Sequence, residues 1–62
     1  MNDICYLFKI AVKLPDGKTV HEEHKVIEKR TKFGEAMATG RVVRFYENLK
    51  AQKKIKDFRL ES

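Results

Sequence analysis

From Asp3 to Leu14 apolar and polar positions alternate, with Ile4, Tyr6, Phe8, Ile10, Val12 and Leu14 on one side and Asp3, Cys5, Leu7, Lys9, Ala11 and Lys13 on the other. A period of two predicts a β-strand. Cys5, Leu7 and Ala11 make the second face partly apolar, so the start of this strand is expected to be covered on both sides, by a second layer or a second subunit. Pro15-Asp16-Gly17-Lys18 follows. A fixed φ, a side chain that bonds its own backbone and a glycine free to take φ > 0 together predict a tight hairpin. Thr19 to Glu28 carries Val20, Val26 and Ile27 among charged residues and reads as the returning, more exposed strand.

After the polar Lys29-Arg30-Thr31-Lys32 stretch, Thr31 is placed to cap a helix running to about Ala51. At 100° per residue Ala38, Val42, Phe45 and Leu49 form one stripe with Tyr46 at its flank, the face expected to pack on a sheet. Gly34 and Gly40 weaken the first half of this helix. Lys53 to Leu60 places Ile55, Phe58 and Leu60 among charged residues and predicts a short last strand. The resulting order, strand-strand-helix-strand, defines an α+β fold with a three-stranded antiparallel sheet and one helix packed on it, across residues 1–62 as a single domain.

Phe33, Ala36, Met37, Gly40 and Val43 lie on a second arc of the helix, and one helix on three strands cannot bury both arcs. Apolar surface is therefore expected to remain for a partner, unless Phe33 folds back over the helix start and Met37 fills the core edge. Sixty-two residues support only a thin core. Together with the doubly apolar first strand, that leads us to expect a homodimer.

Composition removes several classes of function. One cysteine, Cys5, cannot make an intrachain disulfide, and the chain has neither the apolar run of a membrane span nor the pattern of a secretion signal. A cytoplasmic protein is expected. Cys5, inside an apolar strand, reads as a packed thiol and not a nucleophile. His21-Glu22-Glu23-His24 is the one cluster suggestive of metal or proton chemistry. On a strand, three-residue spacing sends the two histidines to opposite faces. No phosphate loop or nucleophile motif is present, so binding is expected rather than catalysis, without metal or cofactor.

Charge divides the chain unevenly. Residues 1–28 hold four lysines against five acidic residues, whereas residues 29–62 hold ten lysines and arginines against four. All of the net +5 arises in the second half. Arg41 and Arg44 point away from the packing stripe and are candidates for phosphate contacts in a small nucleic-acid-binding domain. No stacking aromatic is clearly placed among these charges.

The run Asp16-Gly17-Lys18, Glu22, His24-Lys25, and then Phe33 at the helix start resembles the small uracil-DNA glycosylase inhibitor family of Bacillus tailed phages. The likeness covers about ten residues and the phenylalanine, with one inserted residue before Phe33. It implies a phage-encoded homodimer acting in the host cytoplasm, with a three-stranded sheet and one helix. It further implies that the chain occupies the DNA-binding site of the glycosylase as a DNA mimic, with Phe33 filling the pocket that grips DNA and Glu22 engaging beside it. Glu35 stands one place after the family's acidic position, which is Gly34 here, and Met37 stands where the family has a tyrosine. The family is acidic and this chain is basic, so contact would rest on Phe33 and on an acidic patch of Glu22, Glu23, Glu28 and Glu35.

Overall fold

The computed structural model describes residues 3–61. Strand β1 spans Asp3–Lys13, β2 Thr19–Lys29, helix α1 Gly34–Ala51 and β3 Asp57–Leu60. They form a three-stranded antiparallel sheet in the order β2-β1-β3 with the helix on one face, which is the expected α+β arrangement.

The hairpin forms as its residues dictate. The Leu14 carbonyl accepts from Gly17 N–H at 2.9 Å, Leu14 N–H donates to the Lys18 carbonyl at 2.7 Å, and Asp16 Oδ1 accepts from Lys18 N–H at 2.9 Å. Gly17 takes φ +94°, a conformation that strains any residue with a Cβ. This turn fixes the register, pairing Phe8 with His24, Ile10 with Glu22 and Val12 with Val20. Even-numbered residues of both strands consequently face the helix.

The core lies between that face and one line of the helix: Phe8, Ile10, Val12, Val26, Ala38, Val42, Tyr46 and Ile55 are buried together. The rotation of the helix corrects the expected stripe. Tyr46 is buried and Phe45 is exposed. A tyrosine can occupy this position because the sheet is narrow: its ring packs near Phe58, with centroids 5.6 Å apart, while its hydroxyl reaches polar surroundings at β2.

Both ends of the helix also differ from the expectation. Phe33, not Thr31, is the N-cap residue, and it makes no side-chain cap bond. Thr31 instead closes the preceding turn, its hydroxyl accepting from Phe33 N–H at 3.3 Å and its carbonyl from Gly34 N–H at 3.1 Å. Gly34 sets the starting point, since a Cβ there would lie 3.0 Å from the Lys29 carbonyl and 3.1 Å from the Tyr6 hydroxyl. At the other end Lys53 adopts φ +61°. Its N–H donates to the Lys50 carbonyl and that of Lys54 to the Leu49 carbonyl, the Schellman pattern usually built on glycine. Residues 53–56 are spent on this stop, so β3 is four residues long and begins at Asp57 rather than Lys53.

Two substitutions should stabilise the fold. A Cβ at Gly40 meets nothing within 4 Å, so Gly40→Ala should add about 1 kcal/mol. Lys53→Gly should add about as much by relieving the left-handed backbone. Urea midpoints followed by circular dichroism measure both.

Candidate functional site

The exposed side of α1 holds the largest group of solvent-facing apolar side chains. Phe33 is 62% exposed, Met37 52% and Phe45 47%. Four-residue spacing from Phe33 through Met37 and Arg41 to Phe45 sets them along one slowly turning line of the helix, and Arg44 joins Met37, Gly40 and Arg41 around a shallow depression. Phe33 does not fold back over the helix start and Met37 does not fill the core edge.

The charges on this face differ in their freedom. Arg41 pairs with the largely buried Glu28 carboxylate of β2, which holds the guanidinium against the sheet. Arg44 has no ion pair among the described residues. Lys32 places its ammonium 5.3 Å from the Phe33 ring centroid, so the best exposed aromatic carries a positive charge beside it.

Phe45 is the residue that the sequence reading misses. Its ring stands edge-on to His24 at 4.9 Å and to Tyr46 at 5.1 Å, and His24 and Tyr46 are themselves 5.7 Å apart. An aromatic therefore does stand among the basic residues of the helix. Adjacent Phe45 and Tyr46 compete for one buried slot, and periodicity alone does not separate them. The residue that distinguishes them is Glu22: hairpin register puts this carboxylate on the helix-facing side of β2, within reach of the Tyr46 hydroxyl. The Tyr46 hydroxyl donates to Glu22 Oε1 at 3.0 Å. Burial first, and then the neighbouring Glu22 carboxylate, push the Tyr46 hydroxyl up to about 12.

The acidic residues expected to act with Phe33 are dispersed. Glu22 is bonded to Tyr46, thirteen positions beyond Phe33 along the helix, about 20 Å of axial rise. Glu23 is on the outer face of the sheet, and Glu28 is engaged by Arg41. Glu35 lines a different groove on α1 with Ala36, Thr39 and Val43. Of the four residues singled out, Phe33 and Met37 share a face, whereas Glu22 and Glu35 stand elsewhere.

His21 and His24 occupy opposite faces, as the strand spacing requires: His21 Nδ1 lies 3.0 Å from Glu61 Oε1 outside the sheet, and His24 packs on Phe45 and Tyr46 inside it. Among the described residues no three His, Cys, Asp or Glu side chains are grouped to hold a metal ion. Cys5 is exposed on the outer face, not packed as expected, because no second layer covers that face. No helix of the described residues is long and apolar enough to cross a membrane.

Comparison of the chain with protein-family models, with curated proteins and with solved structures gives no match.

The Tyr46 hydroxyl generates a prediction with a defined sign. In the unfolded chain tyrosine ionises near pH 10, whereas in the folded protein it stays protonated to about 12. Its contribution to stability is complete below pH 10 and should be lost as pH rises from 10 to 12. Tyr46→Phe should cost about 1 kcal/mol at neutral pH through the lost hydrogen bond and should flatten this alkaline decline. Urea titrations of both proteins between pH 8 and 11 test it by difference.

Proposed function

We propose that this protein acts by binding and not by catalysis, and that the exposed face of α1 is its contact surface for a protein partner. The observation that carries this reading is the combination of Phe33, Met37 and Phe45, each about half exposed or more, with Arg41 and Arg44 on the same face. Aromatic residues, methionine and arginine are the types enriched at protein interfaces, and a few such anchors supply most of the affinity.

The hairpin resemblance nominates a uracil-DNA glycosylase as the particular partner, with Phe33 entering the pocket that grips DNA. Exposure of Phe33 at the helix start supports this. Electrostatics shape it: Lys32 and Arg41 lie on the Phe33 side and Glu22 lies about 20 Å away along the helix. Inhibition would thus rest on an apolar anchor and only weakly on imitation of phosphates.

A second reading has its own observation. Arg44 has no ion pair among the described residues, and Phe45, its neighbour along the chain, is 47% exposed; a phosphate ligand and an aromatic ring are the pair of features that single-stranded nucleic acid uses.

The experiments separate the two. As a glycosylase inhibitor, the folded protein in several-fold molar excess over enzyme abolishes uracil excision even when excess undamaged DNA is added. Phe33→Ala should then weaken the complex by about thirtyfold, the equivalent of ~2 kcal/mol, with an unchanged circular dichroism spectrum. Full excision removes the glycosylase as partner. As a nucleic-acid binder, the protein shifts a labelled single-stranded oligonucleotide at low salt, and Arg44→Ala lowers the slope of log affinity against log salt by roughly 0.7. Absence of any shift at low salt removes that reading.

A further inference from the structure

The two long edges of the sheet are not equivalent. β3 pairs with β1 only from Ile10 to Lys13, and Glu61 N–H adds one more bond to the Lys9 carbonyl. The Lys9 and Lys13 carbonyls both point to this edge, so the odd-numbered residues of β1 direct their backbone groups there. Those of Asp3, Cys5 and Leu7 have no strand beside them among the described residues. The surroundings of this bare stretch mix charged and apolar groups: Lys25 and Lys29 of β2 stand opposite Leu7 and Asp3, with apolar side chains between them. On the outer face Leu7 is 48% exposed and Ile27, opposite Cys5, is 67% exposed; on the inner face Ile4 and Tyr6 are half-buried. An open edge flanked by exposed apolar side chains is a template for another strand.

We propose that the edge of β1 from Asp3 to Leu7 pairs antiparallel with the same edge of a second copy of this chain, across a two-fold axis at Cys5, joining two sheets into one. Register follows from what the edge already holds. Pairing centred on Tyr6 would place the partner's strand opposite Lys9, where Glu61 sits. Pairing centred on Ile4 leaves Leu7 without a described partner. Centring on Cys5 uses all three free positions: Asp3 opposes Leu7 of the second copy, Cys5 opposes its own equivalent, and each pair exchanges two N–H···O bonds. On the inner face it sets Ile4 against Tyr6 across the axis, a β-branched and aromatic pair of the kind that stabilises antiparallel strands.

The dimensions agree with a missing neighbour. The radius of gyration is 12.8 Å, against about 10.6 Å for a compact chain of this length. The exposed area is 4906 Å², against about 4200 Å² for a monomer of this mass. The surplus of about 700 Å² is shared between this edge, with Leu7 and Ile27, and the helix face, with Phe33, Met37 and Phe45. A second copy fits better than a foreign strand, because each copy brings both the unsatisfied edge and the apolar inner side chains that the other lacks. The pairing uses backbone groups of β1 and none of the contact-face side chains: Phe45 packs on His24 of β2, and Phe33 stands next to Gly34, beside the Tyr6 hydroxyl and not on the strand edge itself.

Light scattering of the full chain at micromolar concentration should give twice the 7.3 kDa chain mass. The register makes a charge-specific demand. Leu7→Glu sets a carboxylate opposite Asp3 twice per dimer and should raise the dissociation constant about tenfold. Leu7→Lys sets an ammonium there instead and should leave the dimer intact or tighter, and Asp3→Lys combined with Leu7→Glu should restore it. Both positions are exposed, and circular dichroism checks the fold of each variant. As a measurement on the unaltered protein, a short bismaleimide should join Cys5 of one copy to Cys5 of the other. A monomeric mass throughout the range, a dimer that responds alike to both charges at position 7, or no Cys5 cross-link in a dimer would overturn the proposal.

Discussion

The central strand has neighbours on both sides over only four of its residues, Ile10 to Lys13, and much of the rest of the structure follows from that limit. Where both neighbours are present, under the second half of the helix, Ile10, Val12 and Val42 are all but sealed from solvent. On the outer face Ala11 is buried there between the exposed cross-strand partners His21 and Arg59, and His21 is tied to Glu61. Where only β2 is present the same strand has half-buried Ile4 and Tyr6 within and exposed Cys5 and Leu7 without. The molecule has a finished end and an unfinished one.

Five residues between the helix and β3, Gln52 to Lys56, reverse the chain through the left-handed Lys53 and bury Ile55. The helix in turn presents a single buried line to the sheet, Ala38, Val42 and Tyr46. The bulky side chains left over, Phe33, Met37 and Phe45, face solvent beside two arginines. A small domain that cannot cover its apolar groups internally gains stability by covering them with another molecule. Two such surfaces exist here, the helix face and the β1 edge, and they approach each other where Gly34, next to Phe33, lies against the Tyr6 hydroxyl.

Charge is likewise more constrained than the sum of +5 suggests. Glu28 draws Arg41 onto the sheet, Lys50 lies 3.4 Å from Asp57, and Glu22 accepts the Tyr46 hydroxyl. The backbone N–H of Phe58, and next Lys50, hold the Asp57 carboxyl below its usual range. Of the acidic residues expected to form one patch, Glu22 and Glu28 are thus taken up by individual helix side chains.

The alternation from Asp3 to Leu14, the Pro15-Asp16-Gly17 turn and the helical spacing after Phe33 were enough to determine the element order and the antiparallel hairpin, because these depend on local backbone preference and on a period that a single chain segment carries. The opposite faces of His21 and His24 were equally legible, since strand geometry admits no other result. Three features were decided only by the tertiary structure. Tyr46 rather than Phe45 enters the core because a narrow sheet lets its hydroxyl reach Glu22, a contact between residues 24 positions apart. Phe33 rather than Thr31 stands at the N-cap, with Gly34 beginning the helix at a point where a Cβ would crowd the Lys29 carbonyl and the Tyr6 hydroxyl at 3.0 and 3.1 Å. The extent of β3, and with it the open edge of β1, depends on where the chain re-enters the sheet after Lys53, and no glycine marks that stop in the sequence. Each of these turns on distances between segments remote along the chain, which residue order by itself does not specify.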